Sequence, residues 1–480
     1  MNILFISSEM SPLAKTGGLG DVVASLPAAL KQQGHSVSVV IPFYRDVRQR
    51  LSRLEPTHLR IPITMEQESR EAVVFTGLSR GGVRVYAIGE NHYFDRPSIY
   101  GEPYDYPDNA ERFVFFCRAA VELAAWLDPL PEVLHCNDWQ TALIPGLVRA
   151  RGYPYRTVFT IHNLAYQGIF PPKTFALTGL PGIYYSPGAY EHFGAFNLMK
   201  GALLLADEIS TVSRGYADEI QTGPFGCGFD GLLRDRAGHL TGIVNGIDDE
   251  VWDPQSDPHI PIRYDEEHLH LKDANKQALQ RECGMESHTG LPVFGCVSRL
   301  VGQKGLDVLA AATPGLVQMG GRLILLGSGD SHLEEAFTRL ARAFPDRVFV
   351  EIGFDEGLAH RIEAGSDFFI MPSRFEPCGL NQMYSQRYGT IPLVHAVGGL
   401  RDTVQPWQVS KNGFFRGQGT GFFMDHLDTE PLLTTCREAM DVRRFAPFWK
   451  QIRANAMKQD FSWASVIPQY ETLYRKVIRS

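Results

Sequence analysis

The segments Asn2-Ile3-Leu4-Phe5-Ile6-Ser7-Ser8, Lys15-Thr16-Gly17-Gly18-Leu19-Gly20-Asp21 and Val37-Ser38-Val39-Val40-Ile41 together decide the fold. A short apolar run leads into a glycine-rich loop. Leu19, Val22, Val23, Leu26 and Leu30 then recur at helical spacing, and Gly34 supplies a stop. The second apolar run closes a strand–helix–strand unit, because buried parallel strands read as near-continuous Val, Ile and Leu. Similar runs at 83–88, 132–136, 157–161 and 209–212 make the first half an open α/β sheet. After 245–248, Asp253, Pro254, Pro258 and Pro261 mark a surface excursion, and the pattern then restarts. Runs at 293–297, 323–326, 348–352, 368–371 and 391–394, separated by amphipathic stretches of helix length, predict a second doubly wound domain. Two such domains would face a shared cleft at the C-terminal ends of their strands, where ligands bind in open α/β sheets.

Composition agrees with this and narrows the function. A chain of 480 residues carries two to four domains at roughly 100–200 residues each. With 44% hydrophobic and 21% charged residues it falls in the globular range, outside disordered or fibrous compositions. A formal net charge of -8 provides no basic stripe for general nucleic-acid binding, so local cations must hold any anionic ligand. The seven cysteines are odd in number and widely spaced, without a C-x-x-C, which fits a reducing compartment and neither a disulfide framework nor a thiolate zinc site. No apolar run approaches the ~18 residues of a membrane span, and MNILFISSEM lacks a basic leader region. The expectation is a cytoplasmic protein without a membrane partner.

Three loops carry charge or glycine at the end of a strand. Lys15, Gly17 and Gly18 precede a helix, where free N–H groups and the helix dipole favour phosphate oxygens. A dinucleotide fingerprint fails here, because Val23 stands where the third glycine belongs and no acidic residue closes the second strand. A Walker loop fails as well, its lysine preceding its glycines. In the second half the run at 293–297 leads into Ser298-Arg299-Leu300-Val301-Gly302-Gln303-Lys304-Gly305, whose two cations could clamp a diphosphate, the alternative being two solvated surface charges. The run at 368–371 leads into Pro372-Ser373-Arg374-Phe375-Glu376-Pro377-Cys378-Gly379-Leu380-Asn381, with Glu376 just ahead of a helix. A carboxylate there can bind sugar hydroxyls or stabilise positive charge, or simply complement the helix dipole. In the first half Asp138 and His162 end neighbouring strands in His135-Cys136-Asn137-Asp138-Trp139 and Thr160-Ile161-His162-Asn163. No metal-binding motif occurs, and no metal is assigned.

Taken together, KTGGLGDV, HCNDWQTAL, TIHNLAYQG, STVSRGYADEI, NGID..VWDP, SRLVGQKGLD, SRFEPCGLNQ and the 398–404 stretch resemble the bacterial glycogen synthase and plant starch synthase family, in matching order over nearly the whole chain. The resemblance implies a GT-B glycosyltransferase with two Rossmann-like domains, moving glucose from ADP-glucose to the non-reducing end of an α-1,4-glucan with retention. It implies domains at 1–244 and 245–455, with 456–480 a terminal helix crossing back to the first, and closure that excludes water from the donor. The amphipathic stripe Trp463, Val466, Ile467, Tyr470, Leu473, Tyr474 and Val477 would be packing on that helix. By position, Lys15, Gly17, Gly18 and Asp21 resemble the family's ADP-glucose loop, and Arg299 and Lys304 its diphosphate-neutralising pair, acting without a metal cofactor. Asp138 and His162 match reaction-site residues, Asn245 a sugar contact, and Glu376 the acid at the donor glucose. Cys378, Gly379 and Leu380 would turn backbone N–H groups to the sugar and phosphate. Three positions depart from the family pattern: Phe354 stands where tyrosine is frequent against the adenine, Asn381 where threonine is common, and Asn137 where histidine is frequent. A UDP-glucose transferase, a silent glucan-binding protein and a nicotinamide dehydrogenase are the competing readings, the last disfavoured by the failed fingerprint. The expected partners are ADP-glucose and a glucan primer, with the plastid stroma as the compartment of a plant member.

Overall fold

The structure, a computed structural model, describes residues 1–50, 54–101, 104–408 and 418–479. It divides into two units: Met1–Gly246 together with Trp463–Ser480, and Ile247–Ser462.

The first unit carries β1 (Asn2–Ile6), β2 (Ser36–Pro42), β3 (Glu55–Met65), β4 (Glu68–Leu78), β5 (Arg84–Gly89), β6 (Val133–Asn137), β7 (Arg156–Ile161), β8 (Ile169–Phe170), β9 (Glu191–His192), β10 (Ala195–Asn197), β11 (Glu208–Thr211) and β12 (Leu240–Gly242). Nine of these form one sheet in the order β12-β11-β7-β6-β1-β2-β5-β4-β3. β1 lies parallel between β2 and β6, with Ile3 opposite both Val37 and Val133. Such a central strand is buried on both faces, and Ile3, Leu4, Phe5 and Ile6 are all inaccessible. β3 and β4 differ from this pattern. They form an antiparallel hairpin at the sheet edge, where Ile61, Ile63 and Met65 alternate with exposed residues because one face meets water. β8, β10 and β9 make a separate three-stranded antiparallel sheet.

The second unit carries β13 (Val293–Val297), β14 (Arg322–Gly327), β15 (Val348–Ile352), β16 (Phe368–Met371), β17 (Ile391–His395) and β18 (Phe422–Met424). The sheet is wholly parallel in the order β15-β14-β13-β16-β17-β18, a doubly wound arrangement whose order reverses between β13 and β16. Strand residues alternate between two cores. Phe294, Cys296, Leu323 and Leu325 pack with Leu306, Leu309, Leu316 and Phe337 from helices on one face. Val293, Ile324 and Leu326 pack with Leu279, Leu358 and Ile362 on the other.

The terminal helix Trp463–Arg479 belongs to the first unit, and all seven residues of its apolar stripe are buried. His135 Nδ1 lies 2.7 Å from the Tyr474 hydroxyl, and Lys476 Nζ donates to Glu208 Oε2 at 2.6 Å. The unit boundaries differ from the sequence expectation at both crossings. Asn245 and Gly246 remain with the first unit. Residues 456–457, expected to open the terminal segment, instead complete the helix Ala446–Met457, because Ala456 and Met457 are buried in the second unit's cores. Among the described residues no helix is long and apolar enough to cross a membrane. All seven cysteines are free, and only Cys227 is exposed.

Candidate active site

In the second unit the chemistry-bearing loops leave the C-terminal ends of β13 and β16, the two strands flanking the switch in strand order, where open α/β sheets bind ligands. The loop after β13 turns at Gly305, whose φ of +63° and close approach to its neighbour exclude a side chain: a Cβ there would lie 1.8 Å from the Pro372 carbonyl oxygen. The loop after β16 is tied across to it. The Arg374 N–H donates to Gln303 O at 2.8 Å, Gln303 Nε2 donates to Phe375 O at 3.2 Å, and the Arg374 guanidinium reaches both Gly302 O and the Asp307 carboxylate.

This clamp brings Lys304 Nζ to 2.6 Å from Glu376 Oε2, which also accepts the Ser373 hydroxyl at 2.9 Å. Glu376 is 5% exposed, so its charge is compensated mainly by that ammonium. Arg299 is exposed, and its guanidinium pairs with no carboxylate among the described residues. The two cations of one loop are thus unequal: Lys304 is engaged by Glu376 and Arg299 is open to an anion.

Gln382, which sequence reasoning did not single out, sets the adjoining turn. Its Nε2 donates to the carbonyls of Cys378 at 3.1 Å and Gly379 at 3.0 Å, and to the Thr403 hydroxyl at 2.9 Å. With those carbonyls held on the protein side, the Gly379 and Leu380 N–H groups donate to no described residue. Gly379 has φ +73°, and Gly399 packs on Cys378 so closely that a Cβ there would lie 2.3 Å from the Cys378 carbonyl oxygen. Asn381 does not extend this set of donors, because its Nδ2 is bonded to Val297 O at 2.8 Å. Phe354, after β15, leaves its ring 75% exposed, free to stack on a planar group.

The first unit places its own residues after β1, β6 and β7. Glu9, a second residue missed in the sequence, is buried and accepts the Thr16 N–H at 2.6 Å, the Thr16 hydroxyl at 2.7 Å, the Gly17 N–H at 3.3 Å and the Tyr100 hydroxyl at 2.7 Å. The Gly17 amide, expected to face phosphate, is therefore bonded to the protein's own carboxylate. Gly18 opens the helix Gly18–Gln32, which has no side-chain cap, and Lys15 pairs with Asp21 at 2.7 Å. Asp138 lies in the left-handed region at φ 56° and accepts the His162 N–H at 2.7 Å. Burial raises its carboxyl to about 7, against the N–H groups of His162 and Asn163, and Glu9 adds to the rise. Burial lowers His162 to about 3, so its ring is neutral. Asn245 is buried, and its Oδ1 accepts no hydrogen bond from a described residue.

Comparison with known proteins accords with this arrangement. Residues 2–235 match the family described as "Starch synthase catalytic domain" and residues 285–421 that described as "Glycosyl transferases group 1". With two α/β units, these two family matches define a glycosyltransferase of the GT-B class. The chain is 47% identical to a glycogen synthase of Anaeromyxobacter sp. (strain Fw109-5) and 48% identical to one of Anaeromyxobacter dehalogenans (strain 2CP-1), each alignment covering 99% of both chains. It is 32% identical, with a TM-score of 0.92, to the catalytic domain of starch synthase IV from Arabidopsis thaliana bound to ADP and acarbose, over 100% of this chain and 99% of that one. The chain belongs to the glycogen and starch synthase family.

Proposed function

We propose that the protein transfers glucose from ADP-glucose to the non-reducing end of an α-1,4-glucan, with retention at the anomeric carbon and without a metal cofactor. The observation that carries this reading is the Lys304–Glu376 pair at 2.6 Å, whose lysine shares its loop with Arg299, a cation that meets no carboxylate among the described residues. A diphosphate leaving group gains negative charge as the bond from glucose C1 to the phosphate oxygen breaks. Arg299 and Lys304 offset that charge, which is the part a magnesium ion plays in other phosphate chemistry. The Gly379 and Leu380 N–H groups add two oriented donors, and the Phe354 ring offers a face to the adenine. Glu376, held by Lys304 and Ser373, is assigned to the donor glucose. Asp138 and His162 are assigned to the transferred sugar, where an ionised carboxylate favours an oxocarbenium-like centre. In a front-side reaction the new bond from C1 to the acceptor oxygen forms on the face the phosphate leaves, and that phosphate takes the acceptor's proton. The starch synthase structure carrying ADP and acarbose supports both substrate classes.

The test is incorporation of labelled glucose into glycogen from ADP-glucose and UDP-glucose side by side, with chelator present. Incorporation from ADP-glucose alone is expected. Preference for UDP-glucose would move the specificity, loss of transfer with chelator would return a metal to the reaction, and no transfer from either donor would leave a glucan-binding protein on this scaffold.

A further inference from the structure

Asn137 ends β6 and lies beside β7, from which His162 follows directly. Its amide is oriented unambiguously. Nδ2 donates to the carbonyls of Ile6 on β1 at 3.1 Å and of His135 on its own strand at 3.2 Å, so both amide protons are used. Oδ1 is left facing His162 Nε2 at 2.9 Å. A carbonyl oxygen can only accept, so Nε2 must carry the ring proton, and in a neutral imidazole Nδ1 is then a lone pair. We propose that Asn137 is a positioning residue that locks His162 in the Nε2–H form, so that Nδ1 meets the transferred sugar as a hydrogen-bond acceptor and never as a donor.

This rests on the assignment of His162 to the sugar. Burial alone accounts for the lowered ring basicity, Asp138 binds the His162 backbone rather than its imidazole, and His135 is itself buried and neutral. A histidine in place of Asn137 could offer the ring either a donor or an acceptor; an amide with both protons used can offer only oxygen.

Nitrogen NMR of protein labelled with 15N-histidine, with His162 assigned by a His162→Gln variant, reads the tautomer directly. A protonated Nε2 and an unprotonated Nδ1, unchanged between about pH 5 and 9, are expected from the lowered ring basicity. A protonated Nδ1, or two tautomers in exchange, overturns the proposal whatever the protein catalyses. Asn137→Leu removes the oxygen; it should mix the tautomers and reduce glucosyl transfer on the order of 10–100-fold, the scale known for the hydrogen-bond partners that orient metal-bound histidines. Asn137→Asp keeps an oxygen at that position, so it should keep the Nε2–H form while raising the ring's basicity, adding a new acid limb to the pH profile. The Asp variant and the wild-type spectrum keep the test decisive if the Leu variant does not fold. A variant that loses the tautomer yet transfers at the wild-type rate overturns the acceptor role and leaves the rest of the functional reading untouched.

Discussion

Asp138 combines a left-handed backbone with a carboxyl raised to about 7. Strain and burial together at one residue are frequent where a site is built at the expense of stability. The sign of the linkage is definite. A carboxyl whose folded value lies above its unfolded 3.8 contributes stability at low pH and loses it as pH rises through about 7. Function runs the other way if the ionised form acts on the sugar. The turnover of the wild-type protein should fall as pH drops below about 7, and Asp138→Asn should raise the melting temperature at pH 8 while removing most activity; a pH–rate profile and a thermal melt check the two halves. The unequal cations give a second contrast. Arg299→Ala should weaken donor use with little change in unfolding, whereas Lys304→Ala also leaves Glu376 without its counter-charge and should lower the melting temperature. Losing one oriented donor to a developing charge typically costs about 10²–10³ in turnover. Donor titrations and melts of both variants separate these effects. The loops that carry Arg299, Lys304 and Glu376 were legible as strand-end loops, but their charges read equally well as solvated, and only the family resemblance singled them out. Glu9 was not legible, since a lone acid in Ser8-Glu9-Met10 reads the same whether solvated or bonded to four donors.

At the level of elements, the loops after β13 and β16 act as one piece because Gly305 lets them touch. Gly305→Ala adds a methyl group where the Pro372 carbonyl stands and demands a left-handed alanine. That substitution should separate Lys304 from Glu376 and reduce transfer at least tenfold, the scale expected when charged groups move by about 1 Å; a crystal structure of the variant would show the displaced loop. The parallel strands were legible because burial on both faces leaves an unbroken apolar run. The β3–β4 hairpin was not. Pro56 and Pro62 interrupt the first of its strands, and proline argues against a central strand, yet β3 ends the sheet, where a missing N–H costs nothing. Gln382 escaped notice for a related reason, since its action depends on backbone carbonyls that a turn brings within reach only after folding.

Across the whole molecule, the first unit is assembled from two separated stretches of chain and the second from one. Deleting the chain from Trp463 onward should leave the seat of Tyr470, Leu473 and Tyr474 uncovered and remove one of the two hydrogen-bond partners of buried His135, so the truncated protein should bind a hydrophobic dye and aggregate; the full chain is the control. Periodicity alone marked the buried stripe from Trp463 to Val477, but the allegiance of this helix followed only from the family resemblance. The same division orders events on the ribosome. Residues 1–246 emerge ahead of 247–462 yet lack the helix Trp463–Arg479 until the intervening unit has been made, while 247–462 are complete in themselves. At roughly 5–20 residues per second the intervening unit, of about 200 residues, takes some ~10–40 s to make. For that interval the nascent first unit carries an open apolar groove, and the earlier-made half of the protein is the later one to finish folding.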